Sequence, residues 1–174
     1  YMLKKAIQQI RKWIDMGINP VNISVNQSKI VFYHENYISE LKSLLEEYNV
    51  SGSYITLEVL ESTVIEDIDI FNSILTEVKK LGFSVSLDDF GSGYSSLNVL
   101  SKLQIDELKI DRIFLHTKSE VDNQRTKWIL ESIIDIAKKS QILVVVEGVE
   151  SKQDDLFIKN LGADVGQGLS LIHI

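Results

Sequence analysis

The sequence predicts an α/β protein of the (β/α)8-barrel class, incomplete, with about six βα units present. Three observations carry this reading. Short β-rich runs alternate with helical patterns every ~20–35 residues, the mark of βα units and a parallel sheet. ILVVVEGV (142–149) is a continuous Val/Ile run, as in a parallel strand buried on both faces. Polar side chains also gather at the C-terminal end of every run. In a barrel the βα loops converge on that rim, whereas a doubly wound open sheet, the competing architecture, concentrates its site near one switch point.

The elements follow in order. ISVNQS (23–28), YITLEVL (54–60), FSVSLDDF (83–90), ELKIDRIF (107–114), ILVVVEGV (142–149) and ADVGQG (163–168) are the strands. Met2–Met16 is a helix with Leu3, Ile7, Ile10 and Ile14 on one face. Helical patterns over Tyr37–Tyr48, Asp67–Leu81, Ser95–Leu103, Asp122–Lys139 and Gln153–Leu161 fill the other gaps. Gly82 and Gly162 follow the last leucines of two of them, where a helix C-terminus favours a residue with positive φ. Pro20, the single proline, separates the first helix from the first strand. No linker or second domain is evident, and residues 1–168 read as one partial domain.

Composition narrows the function classes. The 174 residues are 44% hydrophobic and 25% charged, ordinary values for a globular protein. No apolar run approaches the roughly 20 residues of a membrane helix. The absence of cysteine excludes disulfides and thiolate metal sites. A net charge of −7 argues against a protein that coats nucleic acid, but is compatible with a small phosphate ligand held through metal ions.

The strand ends deliver Asn26, then Glu58 and Glu61, then Asp88 and Asp89, then Lys109 and Asp111, then Glu147 and Glu150, and last Gln167. Taken singly these have bland readings. An Asp-Asp pair suits a turn or helix cap, Glu58 and Glu61 a solvated edge and a cap, and Lys109 an ion pair with Asp111. Glu147 ends a fully apolar strand, where a carboxylate is costly unless used. Together the set calls for cations, and oxygen donors without cysteine select Mg2+, Mn2+ or Ca2+. Adjacent aspartates on a strand point to opposite faces, so a backbone kink is needed for both to reach metal.

These stretches carry a family likeness. ISVNQS, LEVLEST, SVSLDDFGSGYSSL, QIDELKIDRIF, VVVEGVES and GADVGQG, over nearly all of residues 1–168, resemble the EAL-domain phosphodiesterases that hydrolyse cyclic di-GMP to linear pGpG. The resemblance implies two Mg2+ or Mn2+ ions, with Asn26, Glu58, Asp88 and Asp89 as ligands. It implies Lys109 as the lysine that holds the catalytic water, Glu147 as general base or part of the metal and water network, and Glu150 and Gln167 as supporting residues. Phe90, Gly91, Ser92, Gly93 and Tyr94 fall in the family's mobile loop, which Glu61 anchors and through which a homodimer is expected. The bacterial cytoplasm is the expected location, with sensory or GGDEF-type domains, or a membrane tether, supplied by the parent.

The Glu-Ala-Leu motif that names the family is absent, and with it one expected metal ligand. Residues 169–174, LSLIHI, read as the translation of a transposase adapter used in sequencing libraries. The expectation is therefore a truncated, inactive piece of an active parent. An EAL-like receptor that binds cyclic di-GMP without cleaving it is the alternative. An enolase-like barrel enzyme is a weaker third reading, because DDFGSGYSS fits it poorly.

Overall fold

A computed structural model of the chain describes residues 1–64, 68–92, 100, 102–115 and 120–168. It divides into two compact units, Tyr1–Ser86 and Leu87–Ile174. No helix among the described residues is long and apolar enough to cross a membrane.

The first unit opens with α1 (Met2–Asp15), whose Ala6, Ile7 and Ile10 are buried at helical spacing. Strand β1 (Ile23–Gln27) pairs in parallel with β2 (Ile55–Leu60), in register from Ile23 opposite Ile55 to Gln27 opposite Val59. Between them lie α2 (Lys29–Phe32) and α3 (Tyr37–Tyr48). The short α2 has no counterpart in the sequence reading, since one helical turn is too short to show a period. Its Phe32 is fully buried and stacks on Phe71, with ring centroids 5.1 Å apart. After β2 come α4 (Glu61–Val64) and α5 (Ile68–Lys80), the latter burying Phe71, Leu75 and Val78.

Strand β3 (Ser84–Phe90) carries the chain from the first unit into the second. There β4 (Glu107–Ile110), β5 (Leu143–Glu147) and β6 (Val165–Gln167) form consecutive parallel pairs. Helix α6 (Glu120–Lys139) buries Leu130, Ile133, Ile134 and Ala137, and α7 (Lys152–Leu161) links β5 to β6. Ser151 and Asp154 close a reciprocal capping box at the start of α7.

The strand order is β1-β2-β3-β4-β5-β6, the order of the chain. A doubly wound sheet reverses direction partway and this one does not, which decides between the two architectures. Gly82 and Gly162 have the positive φ expected of them, +90° and +93°. The fourth predicted strand is a correction. Pairing ends at Ile110, and residues 112–114 form a 3-10 turn because the Asp111 side chain accepts the Ile113 N–H at 2.8 Å. The helix expected over 95–103 and the tail over 169–174 fall wholly or mostly outside the described residues.

Candidate active site

In the first unit the parallel register sets Asn26 directly opposite Glu58. Each is the second-to-last or third-to-last residue of its strand, so both stand near the same end of the pair. The neighbouring Gln27 is buried and fixes this end of β1. Its amide nitrogen donates to the carbonyls of Val25 and Asn26, at 3.3 and 3.1 Å, while its amide oxygen accepts the Tyr37 hydroxyl at 3.2 Å. Burial pushes the Tyr37 phenol well above its usual pKa, so it remains a donor. Gln27 was not singled out from sequence; the one available signal was an amide in an inward position beside Asn26. Glu61 follows β2 directly, buried at the start of α4.

The second unit holds the denser group. Lys109 is only 6% exposed. It lies level with Val145, and its long stem carries the ammonium one pleat further to Glu147 on the same face. Its Nζ is 2.8 Å from a Glu147 oxygen and 3.0 Å from an Asp88 oxygen. The Lys109–Asp111 pairing considered above is therefore replaced. The Asp111 carboxylate is engaged with the backbone of its own turn instead.

Asp89 solves the problem of adjacent aspartates. Strand alternation would send it away from Asp88, but its φ is +59°. A non-glycine residue in left-handed backbone is uncommon, and aspartate is among the few that tolerate it. The Asp89 N–H donates to an Asp88 carboxylate oxygen at 3.0 Å, and its carbonyl accepts the Ser92 N–H at 3.1 Å. The kink brings one oxygen each of Asp88, Asp89 and Glu147 to within 4.8 Å of one another. Desolvation raises the Asp89 pKa, and the negative charges of Asp88, Asp111 and Glu147 add to the rise; Lys109 offsets part of it. Three carboxylates against one ammonium leave negative charge uncompensated, and the donors are all hard oxygens. The group thus suits Mg2+, Mn2+ or Ca2+.

The remaining predicted residues sort clearly. Gln167 stands opposite Glu147 in the β5–β6 register. Glu150 lies past the end of β5, exposed, and is not in the three-carboxylate group. Phe90 is buried, Gly91 has φ +98°, and Ser92 closes the turn back to Asp89. Gly93 and Tyr94 lie outside the described residues.

Consecutive parallel strands that carry oxygen donors at their ends define an α/β protein of the (β/α)8-barrel class. More narrowly, the chain belongs to the EAL domain family, whose model matches residues 1–173. It is 34% identical over 171 residues to the bifunctional diguanylate cyclase/cyclic di-GMP phosphodiesterase MucR of Pseudomonas aeruginosa, covering 98% of this chain and 25% of the relative. It is 32% identical to the cyclic di-GMP phosphodiesterase PdeR of Escherichia coli, covering 97% of this chain and again 25% of the relative. The chain thus spans about a quarter of these curated relatives. Among solved structures, the PaMucR phosphodiesterase in complex with c-di-GMP matches with a TM-score of 0.84 and 35% identity, over 97% of this chain and 68% of that one.

Proposed function

We propose that the chain is part of a domain that hydrolyses cyclic di-GMP to linear pGpG with the help of two Mg2+ or Mn2+ ions. The observation that carries the proposal is the Asp88–Asp89–Glu147 group with Lys109 held at 3.0 and 2.8 Å between two of its members. MucR and PdeR, both named for cyclic di-GMP hydrolysis, supply the substrate class.

Asp88 and Asp89, with Asn26 and Glu58, are the proposed metal donors. The ions, when bound, supply Lewis-acid activation of the phosphodiester and lower the pKa of bound water. Lys109 fixes the aim of Asp88 and Glu147 and offers an N–H to the attacking water. Glu147 accepts that water's proton, and its ion pair with Lys109 at 2.8 Å holds the carboxylate in place. Gln167, opposite Glu147, supports this end of β5. The bacterial cytoplasm, a homodimer formed through the segment after Asp89, and fusion to sensory or GGDEF-type domains belong to the same proposal.

The test is nucleotide separation after incubation with cyclic di-GMP and Mn2+, on the chain extended with its parent's flanking sequence. The expected product is pGpG, with turnover lost in Asp88→Asn. Turnover near the wild-type rate in that variant would remove the metal assignment. Binding without cleavage would favour a receptor.

A further inference from the structure

The 3-10 turn Arg112–Phe114 sits directly after the strand that carries Lys109, and it touches the strand ends on both sides. Towards β3, the Asp111 N–H donates to the Phe90 carbonyl at 3.1 Å. The Phe114 ring covers Gly91 so closely that a Cβ on that glycine would overlap the ring edge. Towards β5, the Arg112 Cβ occupies the place a Cβ on Gly148 would take. Gly91 is two residues beyond Asp89, and Gly148 is the residue after Glu147. Both have positive φ, +98° and +72°, so each strand turns away under the 3-10 turn. The turn itself is held by the Asp111 side chain on the Ile113 N–H and by the Leu115 N–H on the Arg112 carbonyl at 2.9 Å.

We propose that residues 112–114 form a wedge that sets the spacing between the Asp88–Asp89 pair and Glu147, with Phe114 as the positioning residue through its contact with Gly91. Phe114 touches neither metal nor substrate in this scheme. It keeps the left-handed turn at Asp89 pressed against the Lys109 strand, so that the three carboxylates stay within reach of one ion. The inference rests on the metal-binding reading above and adds a residue to it. Sequence alone offered no reason to separate Phe114 from an ordinary apolar residue at a strand end.

The experiment is Mn2+ titration by electron paramagnetic resonance of the chain extended with its parent's flanking sequence, with a thermal melt of each metal-free variant alongside. Phe114→Ala is expected to weaken Mn2+ binding about tenfold, the scale on which groups behind metal ligands act. The melt should change little, because Phe114 is only half-buried. Phe114→Tyr keeps the ring on Gly91 and should restore the affinity. Should Phe114→Ala fail to fold, Phe114→Leu makes the same comparison with more volume retained. Mn2+ affinity unchanged in Phe114→Ala, but lost in Asp88→Asn, overturns the wedge alone. Equal losses in Phe114→Ala and Phe114→Tyr also overturn it. No Mn2+ uptake by the extended wild-type chain overturns the metal reading and the wedge together.

Discussion

The two units hold their candidate ligands by different physics. In the first, Asn26 faces Glu58 because two parallel strands are in register, and Gln27 and Tyr37 secure the backbone beside it. Topology places the donors there. In the second, Asp88, Asp89 and Glu147 are crowded to a degree that strand geometry alone would not produce, and Lys109 stands between two of them. Charge, together with a left-handed residue, places the donors there. A site specified by register can lose a donor and keep its frame. A site specified by charge has its frame and its chemistry in the same side chains.

That contrast is breakable. Its largest expected effect is at Lys109. Lys109→Met leaves Asp88 and Glu147 facing each other with their shared cation gone, and breaking a buried pair typically costs about 3–5 kcal/mol. Both carboxylates keep some access to solvent, so the expected loss is near the lower end, about 3 kcal/mol by urea denaturation in chelator. Added Mn2+ should recover part of it. A urea transition unchanged by Lys109→Met would mean that charge does not hold this group.

The middle effect is at Gln27. Gln27→Ala strips the Tyr37 hydroxyl of its acceptor inside the protein and frees the Asn26 carbonyl. Leaving a buried donor unsatisfied costs about 1–3 kcal/mol, so a loss of about 2 kcal/mol is expected from the same denaturation experiment. Tyr37→Phe combined with Gln27→Ala should cost less than Gln27→Ala alone, since the orphaned hydroxyl is then absent. The smallest effect is at Asn26, which is exposed. Asn26→Ala should alter stability by no more than about 0.5 kcal/mol while removing a proposed metal donor. A loss as large as that at Lys109 would erase the distinction between the two units.

Sequence carried most of the frame. Tyr37–Tyr48 is a helix over the very residues that its apolar spacing indicated, and every predicted strand is present within a few residues. The continuous apolar core of β5 announced its own burial. Residues whose conformation is set by a neighbour in space were not legible in the same way. ELKIDRIF alternates as a strand should, yet its last residues turn because the Asp111 side chain captures a backbone N–H. The partners of Lys109 lie on other strands, so adjacency in the chain offered Asp111 as its bland partner, and only the shared rim of strand ends set Lys109 with Asp88 and Glu147. The need for a kink at the aspartate pair could be read from alternation. Its location at Asp89 could not, because a positive φ there depends on the turn that Ser92 closes.

The left-handed backbone at Asp89 has a consequence for how such a site decays over generations. A single nucleotide change turns an aspartate codon into one for asparagine, glycine, glutamate, alanine, valine, histidine or tyrosine. Asparagine and glycine accept left-handed backbone readily, whereas β-branched valine resists it most. The changes that remove the carboxylate at least cost to the fold are thus one mutational step away. The conservative-looking step to glutamate keeps the charge but meets the conformational barrier. A lineage that gives up the proposed metal donor by either step keeps its fold, because neither step touches the pairs that Lys109 makes with Asp88 and Glu147.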